Sequence, residues 1–161
     1  MIKVSRKIEY ALLALAKLSS PENKAPLSAR DISQECQLPY DTVAKILKDL
    51  GQHQWLSSVQ GAKGGYVLDI DLNAVNYLDL AKILDEKIET LACQDNEREG
   101  HNGCDRQHSC QISSPLKTID TFLHNFFKNL SIQSILDPAT LLPNWQGQMP
   151  KFPSGNPLEG P

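Results

Sequence analysis

No stretch of this 161-residue sequence approaches the ~20 consecutive apolar residues that a membrane-spanning helix needs, so no such span is expected. The N-terminal stretch, with Lys3, Arg6 and Lys7 ahead of Ala11 to Ala16, has the outline of a signal peptide. Its apolar run is short, follows Glu9 and is broken by Lys17, so a cytoplasmic protein is expected. Aromatic residues are scarce at 6%, within a composition of 40% hydrophobic and 22% charged residues that is ordinary for a soluble globular protein. A lysine-bearing P-loop is missing, which argues against nucleotide binding. So is any Ser/His/Asp or paired-carboxylate arrangement, which argues against an enzyme. No Cys-x-x-Cys pair occurs, so the commonest zinc sites do not fit. Positive charge is not in excess either: 16 basic against 19 acidic residues leave a net −3, at first sight an argument against nucleic acid.

That average hides a division. Residues 1–68 carry nine Lys and Arg against six Asp and Glu, whereas the remainder carries seven against thirteen. A basic N-terminal part on an acidic remainder is the pattern of a modest DNA-binding module joined to something else. Two solvated surfaces differing by chance would give the same numbers. The length allows one domain of ordinary size, or a small domain with an added element and a tail.

The spacing predicts a helix from near Ser5, with Ile8, Ala11, Leu12, Leu15 and Leu18 on one face and Ser19-Ser20-Pro21 at its end. A second, short helix starts at Ser28 with Asp31 as capping partner, and Leu27, Ile32 and Cys36 on its buried side. Gln37-Leu38-Pro39 breaks the chain before a third helix from about Tyr40 to Gln52, with Val43, Ile46, Leu47 and Leu50 inward. Helix, tight turn, helix is a helix-turn-helix. Two strands follow, Trp55 to Val59 and Tyr66 to Ile70, joined by a turn with Gly61, Gly64 and Gly65, whose freedom suits close approach to a phosphate backbone. A hairpin in this place is a wing.

Asn76, with Asp79 three residues on, starts another helix that turns Leu80, Ile83 and Leu84 to one side. Residues 89–113 lose all periodicity while gaining Cys93, Cys104 and Cys110, so something other than a core must hold them. Ser114 and Pro115 restart a helix carrying a long apolar stripe: Leu116, Ile119, Phe122, Leu123, Phe126, Phe127 and Leu130. Six prolines then fall within residues 138–161. The expected organisation is mainly α: a winged helix-turn-helix over 1–72, a supporting helix and cysteine-bearing loop over 73–113, a dimerisation helix over 114–136 and a Pro-rich disordered tail over 137–161.

A recognition helix places its N-terminal side chains against base edges in the major groove while a wing tip touches sugar and phosphate. Base-contact candidates are Tyr40, Asp41, Thr42 and Lys45; Ser28, Lys48 and Lys63 are candidates for phosphate. A winged helix used to dock protein is the alternative. The three loop cysteines are soft thiolates that one flexible segment can bring round a single centre, and an iron–sulfur cluster fits them better than zinc or a disulfide framework. They leave one coordination position, for which His101, His108 and the carboxylate of Glu9 are candidates. Cys36 reads as a small core residue.

With these features the chain resembles the bacterial winged-helix iron–sulfur regulators of the IscR, NsrR and RirA type. The resemblance runs from residue 1 to about 136 through Glu9-Tyr10-Ala11-Leu12, the stretch Leu56-Ser57-Ser58-Val59-Gln60-Gly61-Ala62-Lys63-Gly64-Gly65-Tyr66, and Cys93, Cys104 and Cys110. Within the family it is similar to the branch that regulates the SUF iron–sulfur assembly system. The resemblance implies a cytoplasmic homodimer on a palindromic operator in double-stranded DNA, with the long helix crossing its mate and the cysteine loop near the partner's first helix. Family members with a 2Fe–2S cluster carry a histidine three residues after the last cysteine, where this chain has Ser113. In the nitric-oxide-sensing branch a carboxylate of the partner's opening helix completes a 4Fe–4S cluster, and Glu9 matches it. The resemblance thus favours 4Fe–4S with Glu9 supplied in trans over His108 and over 2Fe–2S. Gln60 stands where family wings commonly carry arginine, which leaves Lys63 as the wing's phosphate contact. The expected function is a repressor of iron–sulfur assembly or iron-homeostasis genes. The alternatives are a nitric-oxide- or redox-sensing repressor of the same family, and a metal-free thiol/disulfide switch.

Overall fold

Helix starts in this chain are written into single side chains. The computed structural model describes residues 4–22, 25–61, 63–86 and 110–137, and four of the six helices among them begin at a side chain that accepts a first-turn N–H. Ser5 caps α1 (Arg6–Ser19) by accepting from the Ile8 N–H. Ser28 and Asp31 form a reciprocal capping box on α2 (Ala29–Glu35), as Asn76 and Asp79 do on α4 (Tyr77–Ile83). Helix α3 (Tyr40–Gln52) begins at Pro39 without a side-chain cap. Its entry is set by the turn before it, where the buried Ser33 hydroxyl donates to the Leu38 carbonyl at 2.7 Å.

Helices α2, α3 and α4 end alike. Gln37, Gln54 and Asp85 take left-handed backbone with φ of 55°, 63° and 53°. The next N–H then reaches back to a carbonyl of the last turn: Leu38 to Ser33 at 2.9 Å, Trp55 to Leu50 at 3.0 Å and Glu86 to Ala81 at 2.8 Å. This is the Schellman closure, which satisfies carbonyls that a helix end would leave open.

The wing is an antiparallel pair, β1 (Leu56–Val59) and β2 (Gly65–Leu68), with Leu56 opposite Leu68 and Val59 opposite Gly65. Leu27 pairs with the other edge of β2, exchanging hydrogen bonds of 3.1 and 2.8 Å with Tyr66. Close approach here is within the protein. A Cβ on Gly65 would lie 2.5 Å from the Leu27 carbonyl group, and one on Gly64 would lie 2.3 Å from the Val59 oxygen. Gly61, at φ 122°, makes the turn itself.

Helix α5 (Ser113–Asn129) starts at Ile112 rather than at the expected Ser114–Pro115, and has no side-chain cap. Pro115 falls within its first turn, where a missing N–H forfeits no helical bond. The helix expected over 114–136 is two helices: Leu130 is extended, and Ser131 caps a separate α6 (Ile132–Leu136). The N–H groups of Ile132 and Gln133 bond to the carbonyls of Val75 and Leu72, and Tyr77 N–H to that of Leu130, each at 3.0 Å. Ile132 is thereby fully buried in the same core as Ile8, Leu15, Ile32, Val43, Ile46, Leu47, Leu50, Leu80 and Leu84. The core therefore crosses the expected boundary at residues 72–73. The architecture is a mainly helical winged helix-turn-helix with a two-stranded wing. The expected Pro-rich disordered tail lies, beyond Asp137, outside the described residues.

Candidate nucleic-acid interface

The period of α3 divides it into two faces. Val43, Ile46, Leu47 and Leu50 are fully buried, and on the opposite side Asp41, Lys45, Lys48 and Gln52 form an exposed strip at helical spacing. Tyr40, 52% exposed, and the half-buried Thr42 flank that strip at its N-terminal end. The structure thus brings Asp41, Lys45 and Lys48 into one line. At the wing tip Gln60 and Lys63 are both exposed.

Ser28 is occupied. Its hydroxyl donates to the Asp31 carboxylate at 2.6 Å and accepts the Asp31 N–H at 3.2 Å, while its own N–H donates to the same carboxylate at 2.9 Å. The hydroxyl bond and then the backbone bond hold the Asp31 carboxyl below its ordinary value. A phosphate at Ser28 has to compete with that carboxylate. Two exposed residues near these were missed in the sequence: Arg30 in the first turn of α2, signalled only by its place after the cap, and Val59 at the end of β1. The exposure of Val59 depends on strand pairing, which the local sequence does not display.

Of the candidate metal ligands, Glu9 is exposed in the first turn of α1, and Cys110 is half-buried just ahead of α5, its carbonyl accepting the Ser113 N–H at 3.2 Å. Cys93, Cys104, His101 and His108 lie outside the described residues, within which no three His, Cys, Asp or Glu side chains converge as a metal site. Cys36 is half-buried at the end of α2, packed against the core, and neither it nor Cys110 is in a disulfide. Burial pushes the Cys36 thiol up, and the nearby Lys17 only partly offsets this, so it stays protonated at neutral pH. Lys17 is also paired with Glu35 at 2.5 Å.

This fold is shared with solved structures. IscR of T. potens superposes with a TM-score of 0.60 at 20% identity over 94% of both chains. CymR of B. subtilis, described as a global cysteine regulator, gives 0.54 at 20% identity over 86% of this chain and 98% of that one. The oxidised form of Staphylococcus aureus CymR gives 0.61 at 18% identity over 84% and 97%. In sequence the chain is similar to the HTH-type transcriptional regulator IscR of Klebsiella pneumoniae, 21% identical over 141 residues that make up 88% of this chain and 83% of the relative. The family model Rrf2, described as iron-dependent transcriptional regulator, matches residues 4–138. With winged helix, α5 and α6 all inside that match, and no catalytic constellation in the sequence, the chain belongs to the Rrf2 family of DNA-binding transcriptional regulators rather than to any enzyme family.

Proposed function

We propose that the protein is a dimeric repressor whose grip on a palindromic operator is set by an iron–sulfur cluster. Cys93, Cys104 and Cys110 would hold the cluster, 4Fe–4S in preference to 2Fe–2S, with Glu9 of the partner subunit as fourth ligand. The observation that carries this reading is at the start of α5. Cys110 immediately precedes a helix that buries none of its residues within the chain and leaves Ile119 51% and Phe122 43% exposed. An apolar face of this kind calls for a second copy, and the thiol beside it sets metal chemistry at the same interface. Leu13, 47% exposed and one helical turn from Glu9, extends the apolar surface to the carboxylate.

The donor set fits the group. Thiolates suit iron, a carboxylate is a weaker and exchangeable ligand, and Ser113 offers no imidazole. When bound, the cluster supplies a connection sensitive to iron supply, oxidation and nitric oxide. The rest is done by this chain's residues. The Phe127 ring stacks on Tyr77 at 4.9 Å and the Leu130 carbonyl receives the Tyr77 N–H, so α5 is fixed to the winged helix. The pose of α5 against its mate then sets the separation of the two α3 helices, which must match half-sites about one DNA turn apart. Lys48 and Lys63 neutralise phosphate, and the strip led by Asp41 and Lys45 faces the bases. Genes of iron–sulfur assembly or iron homeostasis are the targets this control would serve.

A metal-free thiol switch is the second reading, favoured by a likeness to oxidised CymR as close as that to IscR. Anaerobic purification with iron and sulfide analysis, followed by operator titration of loaded and stripped protein, separates the two. A coloured protein that loses its chromophore in Cys93→Ala, Cys104→Ala and Cys110→Ala while staying folded supports the cluster. A colourless, iron-free protein with a redox-dependent disulfide and intact DNA binding supports the switch. Glu9→Ala should change the cluster spectrum or lifetime; an unchanged one assigns the fourth position to His108, His101 or solvent.

A further inference from the structure

The exposed strip of α3 carries an acid where a DNA reader has most to lose from one. Asp41 lies in the first turn, in line with Lys45 and Lys48 and opposite the buried face. Among the described residues its carboxylate is in no ion pair, not even with Lys45 one turn on. A negative charge in the first turn favours the helix dipole, which accounts for an acid there in solution. It does not account for one facing phosphates, where repulsion lowers affinity for every sequence alike. Only a hydrogen-bond donor on the DNA can offset that, and in the major groove two donors exist, cytosine N4 and adenine N6. Adenine presents its N7 acceptor beside N6, which repels a carboxylate and suits an amide instead. Cytosine N4 has no such acceptor on its own base edge.

We propose that Asp41 is a specificity-determining residue that accepts a hydrogen bond from the N4 amino group of one cytosine in each operator half-site. The assignment deepens the DNA-binding reading and rests on α3 lying in the major groove. Repulsion from random sequence and attraction to one base act in the same direction, so discrimination grows at the expense of total affinity. A weakly cationic interface is then an asset, because little binding is available without the base contact.

The test uses the full-length protein and selection from a randomised duplex pool, comparing wild type with Asp41→Asn, which keeps size and shape. Wild type should enrich operators with a cytosine at one symmetric position, and replacing it by thymine should weaken binding about tenfold. Asp41→Asn should shift the preference there toward adenine and bind random duplex more tightly, while Asp41→Glu keeps the cytosine preference. An unchanged preference in Asp41→Asn at every position, in protein shown to be folded by circular dichroism, overturns the proposal. If wild type enriches no sequence and Lys45→Ala alters binding to no duplex, the placement of α3 in the groove fails first and takes the proposal with it.

Discussion

Gly65 shows how much one absent methyl group can decide. Leu27 approaches β2 so closely that a Cβ at position 65 meets its carbonyl carbon and oxygen at 2.5 Å and the Ser28 nitrogen at 2.8 Å, all backbone atoms unable to rotate away. Gly65→Ala should therefore cost about 1–3 kcal/mol of stability and open the Leu27–Tyr66 pairing, read as a lower urea midpoint and faster amide exchange at both residues. Gly61 has open space around it and should respond through its turn alone. Asp31 carries a different dependence, on pH. Its folded-state value lies below the ordinary carboxylate value, so its contribution is present above about pH 4 and is lost as pH falls through the folded value. In Asp31→Asn that part of the acid loss should vanish, visible as a flatter fall of the urea midpoint below pH 4. The caps at Ser28 and Asn76 were legible in the sequence because cap and target lie three residues apart. The demand at Gly65 was not, because Leu27 is far from it along the chain.

Among the elements, α5 is the one whose sequence and surroundings disagree. Its stripe has the regular spacing of a buried face, yet within the chain only its C-terminal end finds a partner, at the Tyr77 ring. Replacing Ile119 and Phe122 together by Glu should leave the stability of the single chain within about 0.5 kcal/mol, since both are already exposed, while shifting sedimentation to the monomer. A double variant that sediments as wild type would remove α5 from the interface. Periodicity identified the stripe but overran its end. The break at Leu130–Ser131 follows from a hydroxyl cap and from backbone bonds to Val75 and Leu72, and those partners are remote in sequence.

Across the whole molecule, the chain returns on itself. Lys7 near one end donates to the carbonyl of Leu84, and Ile132 near the other is sealed into the core of the winged helix. Ile132→Ala should cost about 2–5 kcal/mol and should weaken DNA binding by lowering the folded fraction, although the residue is remote from α3 in sequence; the check is a denaturation curve run beside the operator titration. No helix among the described residues is long and apolar enough to cross a membrane. The amino-acid sequence by itself determined helices α1 to α4, their caps and the buried face of α3, since these rest on bonds within four residues and on a 3.6-residue period. It also set out the spacing of the three loop cysteines, two of which lie outside the described residues. Only the tertiary structure decided what the wing glycines are for, that Ser28 is held by Asp31, where the long helix ends, and that residues 130–136 complete the core. Each of these is a contact or a steric limit fixed by how the elements fold against one another, and no local pattern carries that information.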